Sequence, residues 1–225
     1  MSNVSQIAVL AVVMLMLVPG CGTGSEDRNP GGSRSLPRPV TSGGTPLDTA
    51  IEARVSVRSF RAGPLTDEQV SQLLWVGQGK SVDTASGATR KVPSAGALYP
   101  LELYLVQEGS VYKYDPDSNS LQKVKEGVGR DKLAGAALGQ SAVALAAVNI
   151  IIAADLEKTR SKYGDRAARY VYMEAGHAGQ NMLLEATSLG LGALTVGAFN
   201  DKAISELTGL PAGLSPVYII SIGLR

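Results

Sequence analysis

Apolar residues fall along this chain in runs and periods that mark out its elements. Leu101–Gln107 (LELYLVQ) and Val111–Tyr114 (VYKY) flank Glu108-Gly109-Ser110 and read as two paired strands. Val148–Ala154 (VNIIIAA) is a continuous apolar run, as in a strand buried on both faces. Leu191–Val196 and Val217–Ile222 (VYIISI) read as two more strands. Elsewhere the spacing is helical. Thr66-Asp67-Glu68-Gln69 is a capping box, and the helix it opens puts Val70, Leu73 and Leu74 on one face and ends near Gly77 or Gly79. Ile51–Val57 reads as a helix leading into an Arg-rich turn, and Asp131–Gly139 and Ser141–Ala147 also read as helices. A long helix runs from Asp165 to Leu189, closed by Gly190. Its small residues (Ala167, Ala168, Ala175, Gly176, Ala178, Gly179) let another helix approach closely, which predicts a central or interfacial position. Asn200 caps a short helix through Leu207. Residues 80–92 and 115–120 are polar and carry loop and turn chemistry. The elements add up to a mixed α+β domain whose core sheet has about four or five strands.

The first fifty residues break this pattern. Ile7–Val18 (IAVLAVVMLMLV) is uninterrupted and apolar, the length of a signal-peptide core and short for a membrane span. It ends in Val18-Pro19-Gly20-Cys21, which resembles the lipobox of bacterial lipoproteins. By that resemblance residues 1–21 are a signal peptide, Cys21 is lipidated, and the protein sits on the cell envelope through a lipid anchor, facing the periplasm or the exterior. An uncleaved anchor or an ordinary signal peptide are the alternatives. Residues 22–50 are rich in Gly, Ser, Pro and Thr, with too few apolar side chains to offset ordering entropy. They read as a flexible linker with a reach of about 30 Å. The globular domain is then 51–225.

Composition narrows the chemistry. Twenty-one Lys and Arg against 20 Asp and Glu give a net charge of +1, which points to no nucleic-acid partner. One Cys and one His exclude an intrachain disulfide and a Cys/His zinc cluster built within one chain.

Four places could carry chemistry, each with a plainer reading beside it. Pro93–Pro100 (PSAGALYP) is a small-residue turn opening into a strand, where a ligand could lie against backbone N–H groups, or a simple loop. Arg54, Ser56 and Arg58 offer two guanidinium forks and a hydroxyl to a phosphate, or form a solvated basic face. Val196-Gly197-Ala198 could present backbone N–H groups to a planar heterocycle, or only exit a strand. Arg225 is either solvated or a third phosphate ligand.

Together, VSVRSF (55–60), PLTDEQVSQLLWVGQG (64–79), PSAGALYPLELYLV (93–106), YKYDP (112–116), AALGQ (136–140), KYGDRAARYVYMEAGHAGQNMLLEATSLGLG (162–192), VGAF (196–199) and PVYIISIG (216–223) resemble the nitroreductase superfamily of FMN enzymes. The nearest branch is the SagB/ThcOx-type dehydrogenases. The resemblance covers nearly all of 51–225 in order. It implies a three-layer α-β-α sandwich that forms a homodimer with FMN at the interface. It implies that Arg54 and Ser56 hold the FMN phosphate, with Arg225 near a further basic phosphate ligand. Arg58 would stand at the pyrimidine edge and stabilise negative charge on the flavin. Pro93, Ser94, Ala95 and Gly96 would form the strip that meets FMN from the partner subunit. Val196, Gly197 and Ala198 would face the N5/O4 edge. Lys162 and Tyr163 resemble the catalytic Lys-Tyr pair of azoline-oxidising members, where one of them takes the proton as hydride passes to FMN; a helix-start surface step is the alternative. Val55 stands where relatives carry a second basic residue, and Ala97 and Tyr99 where many carry Asn and Gln.

In function this implies hydride transfer between FMN and a small-molecule or peptide substrate, with a quinone or membrane redox partner as electron acceptor. The alternatives are an NAD(P)H-dependent nitro or quinone reductase and a non-catalytic flavin-binding envelope protein. Trp75 reads as core, His177 as packed or interfacial, and Gln180 and Asn181 as interface hydrogen-bonders.

Overall fold

The computed structural model describes residues 32–81 and 89–225. Seven antiparallel strands form one sheet, in the order β1-β4-β3-β2-β5-β7-β6. They are β1 (Ser33–Ser35), β2 (Leu101–Gln107), β3 (Ser110–Asp115), β4 (Ser120–Glu126), β5 (Val148–Asp155), β6 (Leu191–Val196) and β7 (Leu214–Leu224). The helices are α1 (Leu47–Ala53), α2 (Asp67–Gln78), α3 (Arg130–Ala136), α4 (Ser141–Leu145), α5 (Leu156–Tyr163), α6 (Ala167–Ser188) and α7 (Asp201–Thr208).

The continuous apolar run of β5 explains the layering. Successive side chains point to opposite faces, so Ile150 and Ile152 face one core and Ile151 and Ala153 the other. The first core is closed by Leu73 and Leu74 of α2 and Val171, Ala175 and Met182 of α6. The second is closed by Leu133 of α3, Val143 of α4 and Ile204 of α7. This is a three-layer α-β-α sandwich. The capping box forms as predicted: Thr66 Oγ1 accepts from Gln69 N–H and Gln69 Oε1 from Thr66 N–H. Gly77 lets α2 approach α6, since a Cβ there would overlap Met182.

Several expectations change. The sheet has seven strands, because β4 (SLQKVKE) is largely exposed and polar and shows no buried period. Residues 32–50 do not behave as a free linker. β1 pairs with β4, Leu36 is buried, and the Ser71 hydroxyl donates to Pro37 O at 2.6 Å. The apparent tether is held by backbone pairing, which composition does not register. The first helix is Leu47–Ala53 rather than Ile51–Val57, and Arg54 is its extended C-cap. Arg54 and Arg58 therefore do not share a helix face. A separate helix, α5, precedes the long helix, which begins only after a 3₁₀ turn at Gly164–Arg166. Trp75 is half-buried with Lys91 Nζ 4.4 Å above its ring, and Asn181 Nδ2 donates to Val76 O within its own chain. His177 is exposed. The signal peptide and Cys21 lie outside the described residues.

Candidate functional site

The predicted site residues fall into two groups separated along the sheet, one beside the edge strand β6 and one before the central strand β2. The first follows α1. Ser56 bridges Ala193 of β6 in parallel, and Val57 N–H donates to Ala193 O at 2.9 Å. Gly192 makes room for Val57, and Gly223 for Phe60, whose buried ring anchors the segment. Ala193 pairs with Ile222, three residues before Arg225, so Ser56 and the C-terminal Arg225 lie near one end of β6 and β7. Arg54 is half-buried, while Ser56, Arg58 and Arg225 are exposed, and none of the three arginines makes an ion pair among the described residues. They offer unneutralised cationic donors to an anion. β6 then runs to Val196, and Gly197 and Ala198 are exposed beyond its opposite end.

The second group is built on the turn before β2. Gly96, Ala97 and Tyr99 have φ of 62°, 54° and 48°. Two of these are non-glycine residues in the left-handed region, which surrounding contacts must hold. The contacts are specific. Ser94 Oγ accepts the Tyr99 N–H at 2.9 Å. Lys158 Nζ donates to Tyr99 O at 3.2 Å. Tyr99 Oη accepts from Thr89 N–H at 3.1 Å. Asp155 N–H donates to Pro100 O, and the Asp155 carboxylate caps α5 through Lys158 N–H. The same residue thus ties the turn to the start of α5.

α5 carries Lys162 and Tyr163 in its last turn, and both reach the turn. A Cβ on Gly96 would lie 2.7 Å from Lys162 Nζ and 2.7 Å from Tyr163 Oη. Lys162 Nζ stands 5.6 Å over the Tyr163 ring, which meets Tyr170 of α6 edge-on at 4.9 Å. Pro93, Ser94 and Ala95 line a cleft of about 260 Å³ with Tyr170, Met173, Glu174 and His177.

Glu174 carried no role in the sequence. It is buried in α6, and burial raises its carboxyl to about 7, against opposing pulls from the Ser94 hydroxyl and Lys158. An acidic residue within the Ala/Gly-rich stripe of α6 was the signal available.

The structure joins Pro93–Gly96 to Lys162 and Tyr163. It does not join them to Arg54, Ser56 and Arg58. β5, β7 and β6 lie between β2 and Ser56, four strand spacings or roughly 19 Å across the sheet.

The Nitroreductase family model matches residues 51–224. A protein of Methanocaldococcus jannaschii classed as a nitroreductase is 43% identical over 186 residues, covering 80% of this chain and 91% of that protein. The crystal structure of a Ralstonia eutropha protein of the same class superposes with a TM-score of 0.76 at 25% identity, covering 95% of this chain and 96% of that one. A chain of the Escherichia coli microcin synthetase McbBCD complex, solved with truncated pro-MccB17 bound, superposes with a TM-score of 0.66 at 26% identity, covering 85% and 78%. With the three-layer sandwich and its conjoined turn and Lys-Tyr pair, these matches place the chain in the nitroreductase family of oxidoreductases, which are generally flavin-dependent.

Proposed function

We propose that this protein is an FMN-dependent dehydrogenase of the SagB type, working as a homodimer tethered to the cell envelope through Cys21. The observation that carries the reading is the meeting of Lys162 Nζ and Tyr163 Oη at Gly96. A proton-handling pair then stands against the strip expected to face the flavin. FMN, when bound, supplies the hydride acceptor. Lys162 or Tyr163 takes the substrate proton, and the clamped turn fixes where they stand.

The residues present fit the cofactor. Arg54, Ser56 and Arg225 would hold its phosphate, and Arg58 would face the pyrimidine edge. Gly197 and Ala198, small and exposed after Val196, leave backbone open to the ring's N5/O4 edge. The separation of the two groups supports a dimer. One chain offers the Arg54 group, and its partner offers Pro93, Ser94, Ala95 and Gly96.

Lipidation of Cys21 would hold the domain outside the cytoplasmic membrane, where NAD(P)H is not expected. That favours an organic or peptide hydride donor and a quinone or membrane redox partner as acceptor. Similarity to a chain of the microcin synthetase McbBCD complex with truncated pro-MccB17 bound supports an organic substrate. A second reading, an NAD(P)H-dependent nitro or quinone reductase, is favoured by the M. jannaschii relative.

Anaerobic mixing of the FMN-loaded protein with NADH and NADPH separates the two. Slow or absent bleaching is expected, and rapid bleaching overturns the dehydrogenase assignment. Arg54→Ala should weaken FMN binding by about 10- to 150-fold, the equivalent of about 1.5–3 kcal/mol for a charge-assisted contact. Unchanged affinity refutes the phosphate role.

A further inference from the structure

The hydride and proton steps above leave one acid of the cleft unused. Glu174 is 3% exposed, and its Oε1 has no hydrogen-bond partner among the described residues. A buried carboxyl oxygen without a partner calls for an explanation. Ser94 of the turn lines the same cleft as Glu174, and its hydroxyl favours the carboxylate. Ser94 Oγ already accepts the Tyr99 N–H, so its own hydrogen is free for the carboxyl. From α5, Lys158 acts on the carboxyl while its Nζ holds Tyr99 O. Lys162 and Tyr163 stand beyond it at Gly96. From α6 itself, Tyr170 and His177 share the cleft wall. Two side chains, Glu174 and Lys158, therefore bracket a turn that carries three left-handed residues.

We propose that Glu174 is a proton-coupled positioning residue: through Ser94 it fixes the turn facing the cofactor, and filling the cleft over Pro93–Ala95 loads it with one proton. The cleft is where Glu174 lines open space. A flat ligand laid on it shuts the carboxyl off from solvent, and an anionic ligand adds repulsion. Both favour the neutral acid over the carboxylate. The proton comes from solvent and no other bond changes. Ionisation of the empty site would leave a buried charge opposed only by Ser94 and Lys158, the two groups that also hold the turn. Binding of the ligand and the protonation of Glu174 then favour each other, and by linkage the affinity must fall as pH rises.

The ligand named here rests on the flavin reading, so the test separates the two. FMN is titrated calorimetrically into ligand-free protein in two buffers of different ionisation enthalpy, at about pH 7.5. With Glu174 near 7 and raised by about one pH unit in the complex, uptake is about half a proton per chain. Between pH 7 and pH 8 the FMN affinity should fall about threefold, and about tenfold in all from below pH 6 to above pH 9. Glu174→Gln, close in shape, should take up no proton and bind with a flat pH profile. Ser94→Ala should move the titration upward, since the hydroxyl favours the carboxylate. Equal uptake in wild type and Glu174→Gln overturns the proposal. Failure of FMN to bind at all counts against the flavin reading instead. The ligand-free protein then decides on Glu174: a protonated-carboxyl infrared band at neutral pH, lost in Glu174→Gln, supports it, and no such band overturns it.

Discussion

Replacing Gly96 with alanine tests whether the turn and the Lys162–Tyr163 pair form one unit. Two costs can be separated. Gly96 has φ +62°, and an L-residue in that region costs about 1–2 kcal/mol. The new Cβ would also lie 2.7 Å from Lys162 Nζ and Tyr163 Oη and 3.2 Å from Lys162 Cε. Favourable contact needs about 3.5–4.0 Å, so those atoms must retreat by roughly 1 Å. Both are ends of long side chains and can move without unfolding the protein. Stability should therefore fall by little more than the backbone cost, a drop in Tm of about 2–8 °C. Turnover should fall much further, by up to about 100-fold, because it depends on where those two tips stand. Gly109→Ala is the control. Its φ is +76°, and the nearest atom to a Cβ is Val128 O at 3.9 Å, so it carries the backbone cost alone. Thermal melts by circular dichroism and turnover of the FMN-loaded protein would be read on both variants. Equal turnover in the two would refute the idea that the turn sets the Lys-Tyr geometry.

Three further outcomes follow from the packing. Gly223→Ala puts a Cβ 2.8 Å from Phe60 Cβ and Cγ, and should cost about 1–3 kcal/mol in a denaturant titration because strand and ring are both fixed. Ser71→Ala removes a hydroxyl that donates to Pro37 O and accepts from Asn119 Nδ2; it should cost about 1 kcal/mol and speed proteolysis around residues 36–40. Because burial raises Glu174 to about 7, the folded protein holds a proton that the unfolded chain has released. Its contribution is full below the ordinary carboxyl range and is lost as pH rises through about 7, so stability should decline across that window. Glu174→Gln should flatten that slope in melts across pH.

Much of the fold could be read from the chain. β5 announced itself by a continuous apolar run, and the Thr66 and Asn200 caps by local chemistry that formed as written. What escaped depends on distant partners. β1 and β4 are polar and gain their order from pairing with each other and with β3, which no periodicity records. α5 is short and highly charged (LEKTRSKY), so it shows no apolar face to read. The Arg54–Arg58 spacing looked helical, yet hydrogen bonding to Ala193 draws the segment out as an extended neighbour of β6. At the site, the turn and the Lys-Tyr pair were each visible as short motifs. Their convergence was not, because it depends on Asp155 and Lys158 tying α5 to the turn. Glu174 was hidden for a related reason. Its character comes from burial against Ser94, and sequence shows only an acid on a helix.

Whether this fold holds a flavin against the Pro93–Ala95 strip is tested most directly by the visible spectrum of the purified protein. The expected result is a yellow protein, or a colourless one that becomes yellow with added FMN and retains it through gel filtration, with denaturation releasing FMN. A protein that stays colourless and takes up no FMN would contradict it.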